Sequence, residues 1–273
     1  MNRFVIVRGG GDIATGTIYK LVKCGYQVLI LETPKPSAIR RNVAFSEAVY
    51  EGKMTVEDMT AYRVSDISEA HRIMNQGVPA LMIDSKGSVI SHVKPDIVID
   101  AILAKKNLGT TKQMAPVTIA LGPGFCAGKD VDAVIETMRG HKLGRVIYEG
   151  TAIPNTGVPG MIAGVSAQRV IHAPEQGTLR NIAHITDIVK KGQTIAVIER
   201  SDGRLVEVKA TIDGLLRGLI RDGYPVTKGF KIADIDPRTD EYENCFTISD
   251  KARCIAGGVI EAICQISKRK ERL

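Results

Sequence analysis

The stretch FVIVRGGGDIATGTIYKLVKCGYQVLILE, residues 4–32, spells a strand, a glycine turn, a helix and a second strand in close succession. Residues 4–7 are an apolar, largely β-branched run, which suits a strand buried on both faces. Residues 13–23 are helical in pattern and Gly25 stops them, after which Val28 to Leu31 form a second apolar run ending in Glu32. Between strand and helix, Gly9, Gly10, Gly11, Asp12, Ile13 and Ala14 fit G-x-G-x-x-[GA], and Glu32 lies 21 residues past Gly11. That spacing predicts a nucleotide site in which glycines let backbone N–H groups and a positive helix end approach a phosphate, while the acid meets a ribose hydroxyl. A tight strand-to-helix turn without a ligand is the plainer alternative. Asp12 favours that alternative in part, because its carboxylate can cap the helix but repels a pyrophosphate.

Outward from this unit, residues 33–52 carry two prolines and the pair Arg40 and Arg41. A helix is expected over 65–75, and short apolar strands over 80–83, 97–102 and 117–121. The last of these runs into a second glycine loop, Gly122-Pro123-Gly124-Phe125-Cys126-Ala127-Gly128, followed by Arg139, His141, Arg145, Asn155 and Thr156. Loops of this composition after strand ends are where α/β proteins place their sites, and arginines grip phosphate oxygens in pairs of hydrogen bonds. Cys126 is the candidate nucleophile, its thiolate favoured by loop N–H groups, with His141 as partner base. Solvated turns are the bland reading of each residue taken singly. The fold class expected is α/β, a Rossmann-like sheet over residues 1–165 that binds a nucleotide or cofactor.

Residues 173–198 align on 210–235 with identities that include Gly177/Gly214, Leu179/Leu216, Arg180/Arg217, Lys191/Lys228, Gly192/Gly229 and Ile198/Ile235. Such an internal repeat reads as a β unit paired with its copy, and it resembles the barrel-sandwich of biotinyl and lipoyl carriers. A repeat domain over 166–240 is expected, with a C-terminal helical segment over 241–273 packing on the first domain. The link from Glu199 to Arg204 lacks the lysine that carriers modify, and Lys209 lies beyond it, so no covalent biotin or lipoate is expected. In the last segment Ser249 or Asp250 caps a helix, and Gly257 and Gly258 interrupt its apolar face for close packing.

The whole chain has 273 residues, 44% of them hydrophobic and 25% charged, the balance of an ordinary globular protein rather than a disordered or fibrous one. Its net charge of +7 leans toward anionic partners, yet 4% aromatics and no Trp leave few stacking platforms, so no nucleic acid is expected. Five scattered cysteines without a C-x-x-C pair, and no bilayer-length apolar run or signal-like start, predict a cytoplasmic protein that meets no membrane. A homo-oligomer is compatible with all of this.

Several strings also match a known family. RGGGDIATG (8–16), IRRNVAFSEAVYEG (39–52), PDIVIDAILAK (95–105), LGPGF (121–125), RGHKLGRVIYEGTAIPNTGVPG (139–160) and ISDKARCIAGGVIEA (248–262) resemble the YqeB family, nearly end to end. More distantly the glycine loops and final portion are similar to the XdhC and CoxI maturation factors. The resemblance implies an accessory protein that matures a selenium-dependent molybdenum hydroxylase. Such a protein handles a molybdopterin dinucleotide or another nucleotide and has the hydroxylase as its client. An NAD(P)-dependent oxidoreductase and a non-catalytic interaction module are the competing readings.

Overall fold

The computed structural model describes residues 3–155, 157, 161 and 164–270. The chain divides into two units, one of Met1–Pro36, Ala44–Thr156 and Ile248–Leu273, the other of Ser37–Val43 and Gly157–Thr247.

In the first unit the strands are β1 (Phe4–Arg8), β2 (Gln27–Glu32), β3 (Lys53–Val56), β4 (Met59–Val64), β5 (Ala80–Ile83), β6 (Ile97–Asp100), β7 (Val117–Leu121), β8 (Cys126–Ala127), β9 (Ala133–Ile135), β10 (Val146–Ile147) and β11 (Gly150–Thr151). The helices are α1 (Asp12–Lys23), α2 (Ala48–Glu51), α3 (Ile67–Met74), α4 (Ile90–Val93) and α5 (Asp250–Lys270). Nine strands form one sheet in the order β10-β9-β7-β6-β1-β2-β5-β4-β3, while β8 and β11 pair apart from it. Strands β9 to β4 in that order run parallel, and an antiparallel strand closes each edge. The central strands are buried along both faces, which is why they read as unbroken apolar runs.

Helix α1 buries Ala14, Ile18 and Leu21, spaced to share one face, and ends at Gly25 with φ +84°. Beside it lies α5, which begins where the Ser249 hydroxyl accepts the Ala252 N–H and buries Ile255, Val259, Ile263 and Ile266. A Cβ at Gly16 would sit 2.8 Å from that of Ala252, so this glycine sets how near the two helices lie. Gly258 lies against the Gly144 carbonyl, whereas Gly257 has only the end of Lys20 near it; α5 runs through both without a break. None of the helices, among the described residues, is long and apolar enough to cross a membrane.

The second unit holds β12 (Val170–His172), β13 (Gly177–Asn181), β14 (Ile188–Val189), β15 (Thr194–Glu199), β16 (Leu205–Lys209), β17 (Gly214–Leu219), β18 (Pro225–Val226) and β19 (Lys231–Asp236). They form two four-stranded antiparallel sheets, β12-β19-β17-β14 and β16-β15-β13-β18. The copies exchange their short strands, since β14 of the first pairs with β17 of the second and β18 of the second with β13 of the first. Gly177 and Gly214, one repeat apart, have φ +154° and +155°, and a Cβ at either would strike the carbonyl oxygen of Glu199 or Asp236.

The expected fold class is corrected on both counts. The sheet is mixed rather than a doubly wound Rossmann arrangement, because β6 reaches β7 and β7 reaches β9 through loops and a single 3₁₀ turn instead of crossover helices. Nor is the repeat a carrier module of the biotinyl or lipoyl kind. It takes in the distant segment Ser37–Val43, whose Ile39 carbonyl accepts the Leu219 N–H at 2.9 Å, and it encloses an ion network. In that network Arg169 and Arg217 bond Asp234, while Arg217 and Arg238 bond Asp236.

Candidate functional site

Open parallel sheets place ligands at the carboxyl ends of their strands, where the order reverses about the first strand. Here that point lies between β1 and β6, and the glycine turn stands directly on it. The three adjacent glycines play different parts. Gly9 has φ +95°, and a Cβ there would lie 2.9 Å from the Ala101 oxygen. At Gly10 a Cβ would meet the Ser46 nitrogen at 3.1 Å, while the Ser46 N–H donates to the Gly10 carbonyl at 2.8 Å. Gly11, by contrast, has φ −65° and ψ 179°, and a Cβ added to it would find nothing within 4 Å. It is the N-cap of α1, yet no side chain caps the helix. Beside this turn the Ser46 hydroxyl is buried and has no hydrogen-bond partner.

Glu32, expected to meet a ribose hydroxyl, is engaged by the backbone around it. Its carboxylate accepts the Gly10 N–H at 2.8 Å and the Thr33 N–H at 2.7 Å, tying the end of β2 to the glycine turn. Burial pushes its pKa up, and the two backbone donors offset only part of that.

Arg8 and Asp100 close β1 and β6 as register partners, and both are buried. The Thr110 hydroxyl donates to Asp100 at 2.5 Å and accepts from Arg8, whose guanidinium lies 3.7 Å from Asp100. Burial raises the Asp100 pKa against the pull of Thr110 and Arg8. Loop 101–110 is thereby clamped at both ends. Within it Leu103 (φ +58°) and Lys105 (φ +62°) adopt the left-handed conformation without being glycines, a local strain of the kind that gathers at ligand sites. Lys105 and Lys106 are exposed. Sequence reasoning passed over Arg8, Asp100 and Ser46; the available signal was a charged residue ending each of two apolar runs.

The second glycine loop is a packing device. A Cβ at Gly124 would lie 2.6 Å from the Lys106 nitrogen, and one at Gly122 2.6 Å from the Thr137 hydroxyl. Gly9 and Gly124 therefore make room for the same loop from two directions. Cys126 is half-buried in β8, its N–H donating to Asp130 at 2.8 Å, and it makes no hydrogen bond with His141, which is exposed. Arg139 forms a two-pronged ion pair with Asp250 at 2.9 and 3.1 Å. Arg145 and Asn155 are exposed, and Thr156 lies outside the described residues. Arg40 and Arg41 belong to the second unit, where they bond the carbonyls of Asn244 and Leu219. The arginines expected to grip a pyrophosphate are thus not gathered at one place.

No family model matches the chain. It is 50% identical over 265 residues, 97% of its length, to the YqeB protein of Escherichia coli K12, of which it covers 48%. The chain thus spans about half the length of the curated relative it matches. Among solved structures it aligns with an aspartoacylase family protein from Mesorhizobium loti (14% identity, TM-score 0.30, 87% of this chain and 86% of that one). It also aligns with the ectoine utilization protein EutE from Ruegeria pomeroyi (8%, TM-score 0.29, 86% and 85%). A third is a succinylglutamate desuccinylase/aspartoacylase from Rhodobacter sphaeroides (15%, TM-score 0.27, 88% and 87%). These resemblances assign no activity to this chain. The maturation reading, together with its molybdenum and selenium, is corrected on the residues themselves: the arginines it relied on bond the Asn244 and Leu219 carbonyls and Asp250. The NAD(P) oxidoreductase reading loses its support at Glu32.

Proposed function

Given that the chain is a YqeB-family sequence corresponding to about half of its curated relative, we propose that its first unit is a ligand-binding domain. It receives a small anion, a phosphoryl or carboxylate group, at the start of α1. The observation that carries this reading is the uncapped helix start at the reversal of the sheet, with open space over Gly11 and the unpartnered Ser46 hydroxyl beside it. First-turn N–H groups and the helix dipole attract negative charge, and a Gly N-cap leaves those donors to the ligand. Lys105 and Lys106, in the loop that follows β6, add positive charge beyond the carboxyl ends of the strands. Asp12, in the first turn, opposes a highly charged group and favours a singly charged one.

Calorimetric titration with inorganic phosphate, acetate and AMP tests the reading, on the wild type and on Gly11→Asp. The substituted carboxylate caps the helix and occupies the anion's place. Saturable binding of phosphate or acetate that Gly11→Asp abolishes, with folding intact, is the expected result. No saturable binding of any of the three, or equal binding by the variant, overturns it.

A further inference from the structure

A cavity of about 750 Å³ opens elsewhere in the first unit, between α4 and residues 111–116. It lies where β6 and β7 begin, since Asp96 and Pro116 directly precede those strands. From there it extends to Gly87, where an added Cβ would lie 3.4 Å from the Arg8 Nε, and Gly11 is not part of its lining. Its volume falls in the range of sites for small organic ligands.

Its walls are apolar where Ile90, Met114, Ala115 and Pro116 line it, and Met114 and Ala115 pack on the core beneath. The polar lining is unequal in donors and acceptors. One oxygen of Asp96 accepts the Phe4 N–H at 2.8 Å, leaving the other as the acidic point of the lining, and the Ser91 hydroxyl donates to the Ser88 carbonyl at 3.2 Å. Lys94, Gln113 and Thr111 also line the cavity, and their side chains have no hydrogen-bond or ion-pair partner among the described residues. Lys94 is held at φ +48° at the C-cap of α4, a left-handed position that glycine would occupy at less cost. A lysine kept there places a cation at the cavity.

We infer that this cavity is a second ligand site, which takes a small amphipathic monocarboxylate with its hydrocarbon part against Ile90, Met114 and Pro116 and its carboxylate on Lys94. Unspent donors and a positive charge call for an acceptor-rich anionic head, and the apolar walls call for an aliphatic or aromatic tail.

Octanoate is the probe, with octanol as its uncharged counterpart, titrated calorimetrically into the whole chain. Saturable octanoate binding is expected at millimolar concentration or below. Lys94→Gln weakens octanoate about tenfold or more, the worth of one charge-assisted hydrogen bond, and leaves octanol unchanged. Ser91→Phe, a change at an exposed helix position, puts a phenyl ring into the cavity and weakens both. Gly11→Asp leaves octanoate binding intact, which separates this site from the one at α1. Unsaturable octanoate, equal octanoate affinity in Lys94→Gln, or full binding by Ser91→Phe overturns the inference.

Discussion

Replacing each of Gly9, Gly10 and Gly11 in turn separates the glycines that hold the fold from the one that leaves space. Gly9→Ala forces a side chain into φ +95°, and its Cβ would lie 2.9 Å from the Ala101 oxygen, a backbone atom that cannot swing aside. A left-handed non-glycine residue costs roughly 1–2 kcal/mol, and overpacking against backbone about 1–3 kcal/mol. The expected loss is therefore roughly 2–5 kcal/mol. Gly10→Ala has no conformational penalty of that kind but presses on the Ser46 nitrogen at 3.1 Å, for a loss of about 1–3 kcal/mol. Gly11→Ser meets open space at an ordinary φ and supplies an N-cap hydroxyl, so stability stays within about 0.5 kcal/mol of wild type or rises. Urea unfolding followed by far-ultraviolet circular dichroism reads all three, with an unchanged slope as the check that the same transition is compared. If Gly11→Ser is as destabilising as Gly9→Ala, or Gly9→Ala is neutral, the assignment of parts within the turn is wrong.

The duplicated acid–arginine pair offers a matched comparison. Burial opposes ionisation of Asp236, yet the Arg238 bonds and the Arg217 charge hold its carboxyl below the usual range, and Asp236→Ala takes one partner from each of Arg217 and Arg238, which keep Asp234 and Glu241, for a loss of about 1–3 kcal/mol. Its repeat equivalent, Glu199→Ala, breaks an exposed pair with Arg180 and costs about 0–1 kcal/mol; equal losses in thermal unfolding would contradict the burial argument. Glu32 has a raised pKa in the folded chain, so its protonated form is favoured by folding. That contribution is present below the unfolded value and is lost as pH rises through the raised one. Glu32→Gln should thus lose less stability than wild type between acid and neutral pH, and parallel profiles in urea unfolding would refute the shift. Gly214→Ala, which drives a Cβ onto the Asp236 carbonyl, is expected to lower the unfolding midpoint by several degrees, and Gly177→Ala to do the same. A midpoint unchanged in both would mean that the room left by the two glycines is not needed.

Local structure was legible in the sequence wherever near neighbours decide it. The runs at 4–7, 28–31, 80–83 and 117–121 became β1, β2, β5 and β7, and the helical pattern at 13–23 became α1. The repeat showed itself because Gly177 and Gly214 must each avoid a carbonyl one repeat-equivalent strand away, a constraint that preserves glycine in both copies. What the glycine pattern meant could not be read locally. Whether Glu32 meets a ligand depends on the Gly10 N–H turning toward it, and whether Gly9, Gly10 or Gly11 is open depends on Ala101 and Ser46, which arrive from elsewhere in the chain. Arg40, Arg41 and Arg139 looked like phosphate grips because a guanidinium reads the same in sequence whether it is free or spent on a carbonyl or on Asp250. Strand and helix follow from the spacing of apolar residues along a few turns of chain. The ligand-facing surface is what remains after distant segments have used their donors, acceptors and volume, and only the tertiary packing determines that remainder.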